Sequence, residues 1–231
     1  MIKHVFFDLD HTLWDFDKNS RETLNELFEE AKLEEQHIRF NDFMSVYKGI
    51  NDSLWDDYRK GNVTKDELRV VRFGKTLKQL GVYEKSLEAF FTEEYIRRSP
   101  LKENLIPGTL KTLRTLQEKE YNMHIITNGF REVQYTKLTK TGLSPFFKNV
   151  ITSDEVGVNK PDRKIFHTAL RIANAKQTSS IMIGDHLLAD IIGARQAGLK
   201  QGYFNPMNKP HSEKVTFEFA LMDELPRLII R

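Results

Sequence analysis

The amino-acid sequence predicts an α/β protein, a doubly wound parallel sheet interrupted by an inserted all-helical subdomain. Three observations carry this. Short apolar runs recur at 5–7, 123–127, 150–152, 180–183 and 202–204, each followed by turn or polar residues. Between the last four, helical spacing alternates with the runs, which is the pattern of parallel strands joined by right-handed crossovers. Between positions 14 and 98 the strand-like runs vanish and only helical periodicity remains.

The first run, Val5-Phe6-Phe7, ends abruptly in Asp8 and Asp10, with Thr12 following. In an open α/β sheet the carboxyl ends of strands are where ligands bind. Two adjacent carboxylates repel each other, so a proton or a cation must accompany them.

The insert then opens. Asn19 with Glu22 predicts a capping box, followed by Leu24, Leu27, Phe28 and Ala31 along one helical face. Phe43, Val46, Tyr47, Ile50 and Leu54 predict a second helix that stops by Gly61. Thr64 with Glu67 predicts another capping box, leading to Leu68, Val71, Phe73, Leu77 and Leu80 before Gly81. Leu87, Phe90, Phe91 and Tyr95 mark a fourth helix. A stretch this long exceeds the ~12–15 residues of a structureless loop, so it should fold as its own helical cap, residues 16–98. The core is then 1–15 with 99–231.

Downstream, Pro107-Gly108 precedes a helix with Leu110, Leu113 and Leu116. The run ending in Thr127 meets Asn128-Gly129, and the next helix stops at Gly142, a left-handed C′ residue. After Pro161, the residues Ile165, Phe166, Ala169 and Leu170 share a helix face. The run 180–183 ends in Gly184-Asp185, and a helix continues to Gly198.

The composition of the 231 residues, 39% hydrophobic with a mean hydropathy of −0.51, suits one large domain or a core with an insert. The 35 basic and 33 acidic residues nearly cancel, which argues against a nucleic-acid footprint, and no run of like charge forms a tail. Without cysteine, disulfides and thiolate chemistry are excluded, and a reducing compartment fits. The apolar start is too short for a signal peptide, and no stretch approaches the ~20 apolar residues of a spanning helix. A cytoplasmic location is expected.

Four strand ends thus present Asp8 and Asp10; Thr127 and Asn128; Lys160; and Asp185 with Asp190. Along one sheet edge they can converge although distant in sequence. Carboxylates suit a hard divalent cation, most naturally Mg2+. A hydroxyl and an ammonium suit phosphoryl oxygens. One carboxylate is free to attack phosphorus while another handles the leaving-group proton.

Asp8-Leu9-Asp10-His11-Thr12-Leu13, the run ending in Thr127, Lys160-Pro161 and Gly184-Asp185-His186-Leu187-Leu188-Ala189-Asp190 resemble, in order, the four motifs of the haloacid dehalogenase-like (HAD) hydrolases. The insert resembles the first type of helical cap in that superfamily, and the resemblance covers nearly the whole chain. Leu54-Trp55-Asp56-Asp57-Tyr58, Ile125-Ile126-Thr127-Asn128-Gly129-Phe130, Thr141-Gly142-Leu143 and Glu155-Val156-Gly157-Val158-Asn159-Lys160-Pro161-Asp162 look like the branch that contains bacterial pyrimidine 5′-nucleotidases.

The resemblance implies a Rossmann-like core and an aspartyl-phosphate intermediate. Asp8 would be the nucleophile, and Asp10 the acid for the leaving alkoxide and then the base for water. Mg2+ would be held by Asp8, the backbone carbonyl of Asp10, and Asp185. Thr127 and Lys160 would bind phosphoryl oxygens, the Asn128 amide would help bind substrate, and Asp190 would orient Lys160 or a metal-bound water. His186 stands where the family more often has serine or threonine, and its ring is expected to point outward.

In the cap, Tyr47, Asn51, Trp55, Tyr58 and Arg59 are candidates to face the leaving group, with Trp55 and Tyr58 assigned to substrate. Positions 47, 51, 54 and 58 equally fit the packing of the cap itself. The expected partner is a small phosphate ester, with (deoxy)pyrimidine nucleoside monophosphates favoured over a sugar phosphate or phosphoglycolate. A phosphomutase would use the same two aspartates. A phospho-receiver switch would lack both the insert and Asp10. No nucleic-acid polymer and no membrane are expected, and no protein partner is implied.

Overall fold

Residues His4–Phe7 form β1, whose side chains leave the strand on alternate faces. In the computed structural model, which describes residues 1–230, β1 is a central strand of a six-stranded sheet ordered β3-β2-β1-β4-β5-β6. The others are β2 (Asn122–Thr127), β3 (Asn149–Thr152), β4 (Ser180–Gly184), β5 (Lys200–Phe204) and β6 (Phe217–Phe219). Every neighbouring pair is parallel. The strand order reverses at β1, which opens a crevice at its carboxyl end. The edge strand β6 was not anticipated, because three residues are too few to show a period.

The helices, in chain order, are α1 (Phe16–Glu30), α2 (Phe40–Arg59), α3 (Lys65–Gln79), α4 (Lys85–Arg98), α5 (Thr109–Glu118), α6 (Arg131–Lys140), α7 (Ser153–Val156), α8 (Arg163–Ile172), α9 (Gly193–Gln196) and α10 (Leu225–Ile229). A wider-wound turn, Leu187–Ile192, leads into α9. Both faces of the sheet are covered. Val5 and Phe7 pack with Leu113 and Leu116 of α5, Leu138 of α6, and Leu225 and Ile229 of α10. Phe6 on the other face packs with Ile165, Phe166 and Ala169 of α8 and Ala194 of α9. A sheet buried on both faces needs continuous apolar runs, which is what β1, β2 and β4 supply.

The chain divides into two units, Met1–Phe16 with Glu103–Arg231, and Asp17–Lys102. The helical unit has its own core of Leu24, Leu27, Phe28, Phe43, Tyr47, Phe73, Leu77, Phe91 and Tyr95. It reaches Lys102, beyond the boundary read from sequence, because Arg98 and Lys102 pair with Glu30 and Glu26 of α1. Within the sheet unit, the outgoing and returning segments lie side by side: Asp15 N–H donates to Asn104 O (3.0 Å) and Ile106 N–H to Leu13 O (2.9 Å).

The Asn19–Glu22 capping box is corrected. The helix starts at Phe16, so Asn19 lies inside it, buried, and its carbonyl accepts the Thr23 hydroxyl at 2.9 Å. The Thr64–Glu67 box is present, with Glu67 N–H to Thr64 Oγ1 at 3.2 Å and Thr64 N–H to Glu67 Oε2 at 2.8 Å. Gly142 ends α6 with φ +69°, a backbone shape glycine adopts without a Cβ clash. Among the described residues no helix is long and apolar enough to cross a membrane.

Candidate active site

Asp8 follows β1 directly, its N–H bonded to Ile183 O of β4 at 2.9 Å. The chain then curls. Leu13 and Trp14 N–H both reach Leu9 O at 2.9 Å, and His11 takes a left-handed φ of 62° with its N–H on Trp14 O. This turn sends the two carboxylates in different directions.

Asp8 is buried beside Lys160, whose ammonium donates to Asp8 Oδ1 (2.6 Å), Asp190 Oδ1 (2.6 Å) and Ile126 O (2.8 Å). The Asn128 amide grips the main chain of Lys160. Its Oδ1 accepts from Lys160 N–H at 2.7 Å and its Nδ2 donates to Lys160 O at 3.0 Å. It therefore aims the lysine. Thr127 Oγ1, buried at the end of β2, accepts Gly129 N–H at 3.0 Å.

Asp185 follows β4, and the Thr12 hydroxyl donates to its Oδ1 at 3.0 Å. Asp190 Oδ2 accepts His186 N–H at 3.0 Å. A Cβ on Gly184 would lie 2.4 Å from the Asp190 carboxylate, so only glycine lets that carboxylate come so close. His186 does not simply point outward. It is half-buried, and its Nδ1 accepts Ala189 N–H at 3.2 Å, capping the turn that carries Asp190.

Asp8, Asp185 and Asp190 each offer an oxygen, all within 4.8 Å of one another. The Asp10 carboxylate is not in this group. Burial raises the Asp8 carboxyl well above its ordinary value; Lys160 opposes this, while Asp190 and Asp185 reinforce it. Burial also raises Asp185, with Asp190 adding repulsion and His11, Thr12 and His186 working the other way. Burial works against the Lys160 charge, but Asp190 and Asp8 outweigh it and keep the ammonium charged. Three carboxylates thus cluster around one ammonium that pairs with two of them, Asp8 and Asp190. The all-oxygen donor set and this excess of negative charge fit a hard divalent cation.

Asp10 turns the other way, toward α6. Lys137 Nζ pairs with its Oδ1, and Gln134 Nε2 donates to its Oδ2 at 2.9 Å. Burial alone would raise Asp10, yet the Lys137 charge and the bonds from Lys137 and Gln134 hold it below its ordinary value. The Lys137 ammonium also sits 4.0 Å from the centre of the Trp14 ring. Sequence reading missed Gln134 and Lys137. Their signal was two polar residues three apart on the buried face that also carries Leu138.

Trp55 and Tyr58 belong to the helical unit, half-buried on α2, with rings edge-to-face at 5.6 Å. Arg59 pairs there with Asp56, while Tyr47, Asn51 and Leu54 are buried.

A family model described as haloacid dehalogenase-like hydrolase matches residues 2–198. The pyrimidine 5′-nucleotidase YjjG of Escherichia coli is 33% identical over 98% of this chain and 97% of that protein. A glyceraldehyde 3-phosphate phosphatase of Methanothermobacter thermautotrophicus is 30% identical over 99% of this chain and 98% of its own. The orthorhombic crystal structure of YfnB from Bacillus subtilis, bound to magnesium, has a TM-score of 0.88 and 33% identity, covering 99% of this chain and 98% of that one.

Proposed function

The chain belongs to the haloacid dehalogenase-like hydrolase family, and from that premise we propose that it is a Mg2+-dependent phosphatase of small phosphate esters, with (deoxy)pyrimidine nucleoside 5′-monophosphates as its leading substrates. The supporting observation is the divergence of two carboxylates at one strand end: Asp8 backed by Lys160, and Asp10 held apart by Lys137 and Gln134. One can form a covalent bond while the other moves protons.

In this scheme an Asp8 oxygen attacks phosphorus, the P–O bond to the leaving group breaks, and Asp10 gives that oxygen a proton. Water then attacks the aspartyl-phosphate, Asp10 takes its proton, and phosphate leaves with Asp8 restored. The contacts from α6 favour ionised Asp10, the form needed for the second half. An arriving phosphate dianion places negative charge near Asp10 and favours its protonation for the first half.

Lys160 and the Thr127 hydroxyl bind phosphoryl oxygens, and Asn128 keeps Lys160 aimed. Asp8, the Asp10 carbonyl and Asp185 are the proposed Mg2+ ligands; both Asp190 oxygens are already engaged by Lys160 and His186 N–H. Bound there, the ion supplies charge neutralisation at the phosphoryl oxygens and relieves the carboxylate repulsion.

The pyrimidine preference rests on likeness to YjjG. A second reading, a phosphatase of a three-carbon aldehyde phosphate, has support from the archaeal relative at 30% identity. Free phosphate release from dUMP, dTMP, UMP, purine monophosphates, glyceraldehyde 3-phosphate and phosphoglycolate, with Mg2+ and then EDTA, tests both. Release led by pyrimidine nucleotides and abolished by EDTA is expected. Release led by glyceraldehyde 3-phosphate would retain the mechanism and replace the substrate.

A further inference from the structure

Arg72 of α3 is only 5% exposed, yet no carboxylate pairs with it among the described residues. Its one side-chain hydrogen bond is a long one, Nη1 to Asn51 Oδ1 at 3.4 Å, and its buried Nε has no partner. The guanidinium carries five N–H donors and cannot shed its charge. Around it stand Phe73 and Tyr95, whose ring centres lie 5.0 and 4.7 Å from the guanidinium carbon. Tyr47 OH shares Asn51 Oδ1 at 3.5 Å, and Tyr95 OH donates to Ser20 Oγ at 2.9 Å.

The simplest account is that the rings alone hold the cation. Ring faces attract the cation but accept none of its N–H donors in the manner of an oxygen. Burial removes the guanidinium from water and leaves its Nε donor unmade. The rings fall short, and the missing element is an acceptor with charge.

We propose that Arg72, with Asn51, Tyr47, Tyr95 and Ser20, forms a binding site within the helical unit for an anionic oxygen group, a carboxylate or a phosphate-like oxyanion. The unpartnered Nε, with the Nη groups beside it, forms a planar fork suited to two oxygens of one group. The aromatic walls provide the low dielectric in which that pairing is strong. Every residue of this site belongs to the helical unit, and the proposal does not rest on the reaction proposed above.

The test is thermal unfolding of the full chain in EDTA with sodium sulfate, phosphate or malonate, against sodium chloride at matched ionic strength, for wild type, Arg72→Met and Arg72→Lys. The wild type should gain roughly 3–5 °C per tenfold rise in the effective anion above its dissociation constant. Arg72→Met should lose that gain while being at least as stable as wild type in its absence, because it removes an uncompensated charge. Arg72→Lys should keep part of the gain. A response to malonate alone identifies a carboxylate ligand, and one to sulfate and phosphate alone identifies a phosphate-like group. An anion response equal in wild type and Arg72→Met, or no response in wild type, would overturn the proposal and leave the rings as the sole support.

Discussion

Two of the buried cations, Lys160 in the sheet unit and Arg72 in the helical unit, are held in opposite ways. Lys160 is enclosed by Asp8, Asp190 and a carbonyl, all within 2.8 Å. Arg72 has rings and one amide. The sheet unit has more acid than base at its site, the helical unit the reverse. Buried charge without its counter-charge marks where a molecule from outside is expected to complete the balance.

A third buried group shows what happens when a cation can be avoided. His124, in β2, joins His4 Nδ1 through Nε2 at 3.2 Å and Asn149 Nδ2 through Nδ1 at 2.9 Å. Burial, with His4 and Lys148 assisting, pushes its pKa down to about 4. The imidazole simply stays neutral. Lysine can do so at a cost; arginine cannot.

The largest expected effect breaks the Lys160 arrangement. Lys160→Met should lower kcat by on the order of 10²–10³. It should also destabilise the protein by about 3–5 kcal/mol in EDTA, since Asp8 and Asp190 lose their partner. Urea unfolding and phosphate release measure the two losses. Its contrast is Arg72→Met, which loses no stability; a parallel loss in both variants would erase the distinction between paired and unpaired cations.

A smaller effect tests the clamp on Asp10. Lys137→Met should reduce kcat on the order of 10–10²-fold, with KM for phenyl phosphate little changed. Gly129→Ala should do less. Its Cβ would fall 1.5 Å from Gln134 Nε2, so that amide must leave Asp10 while Lys137 remains. A rise in KM with unchanged kcat would show that these residues serve binding and do not position Asp10.

The smallest effect concerns His124. Its folded pKa lies below the unfolded 6.5, so the unfolded chain binds the proton first as pH falls. The stability that neutral His124 contributes is complete above pH 6.5 and is lost between 6.5 and about 4. Tm measured from pH 7 to 4.5 should fall less steeply in His124→Gln than in wild type. Equal slopes would assign the acid sensitivity to other groups.

The fold was legible wherever the chain carries a period or a local hydrogen-bond motif. The runs behind β1 to β5, the Thr64–Glu67 box and the Gly142 stop are all written within a few adjacent residues. The misplaced start of α1 shows the limit of such signals. Asn19 with Glu22 matches a capping pattern, but Phe16, packed beside Trp14, already lies within the helix. The three-residue β6 has no period to detect and exists through its pairing with β5.

The same division holds at the strand ends. By itself the sequence determined the α/β class, the helical insert and the acidic, basic and hydroxyl groups available at each strand end, because periodicity and short motifs are local properties. Tertiary structure alone decided which groups meet. Asp10 joins Lys137 across 127 residues and Lys160 joins Asp8 across 152; Asn128 turns to a main chain, and Arg72 is sealed among rings without an acid. Partners so far apart leave no spacing rule in the chain. They are chosen only when packing removes water and every buried polar group must find, or lack, its complement.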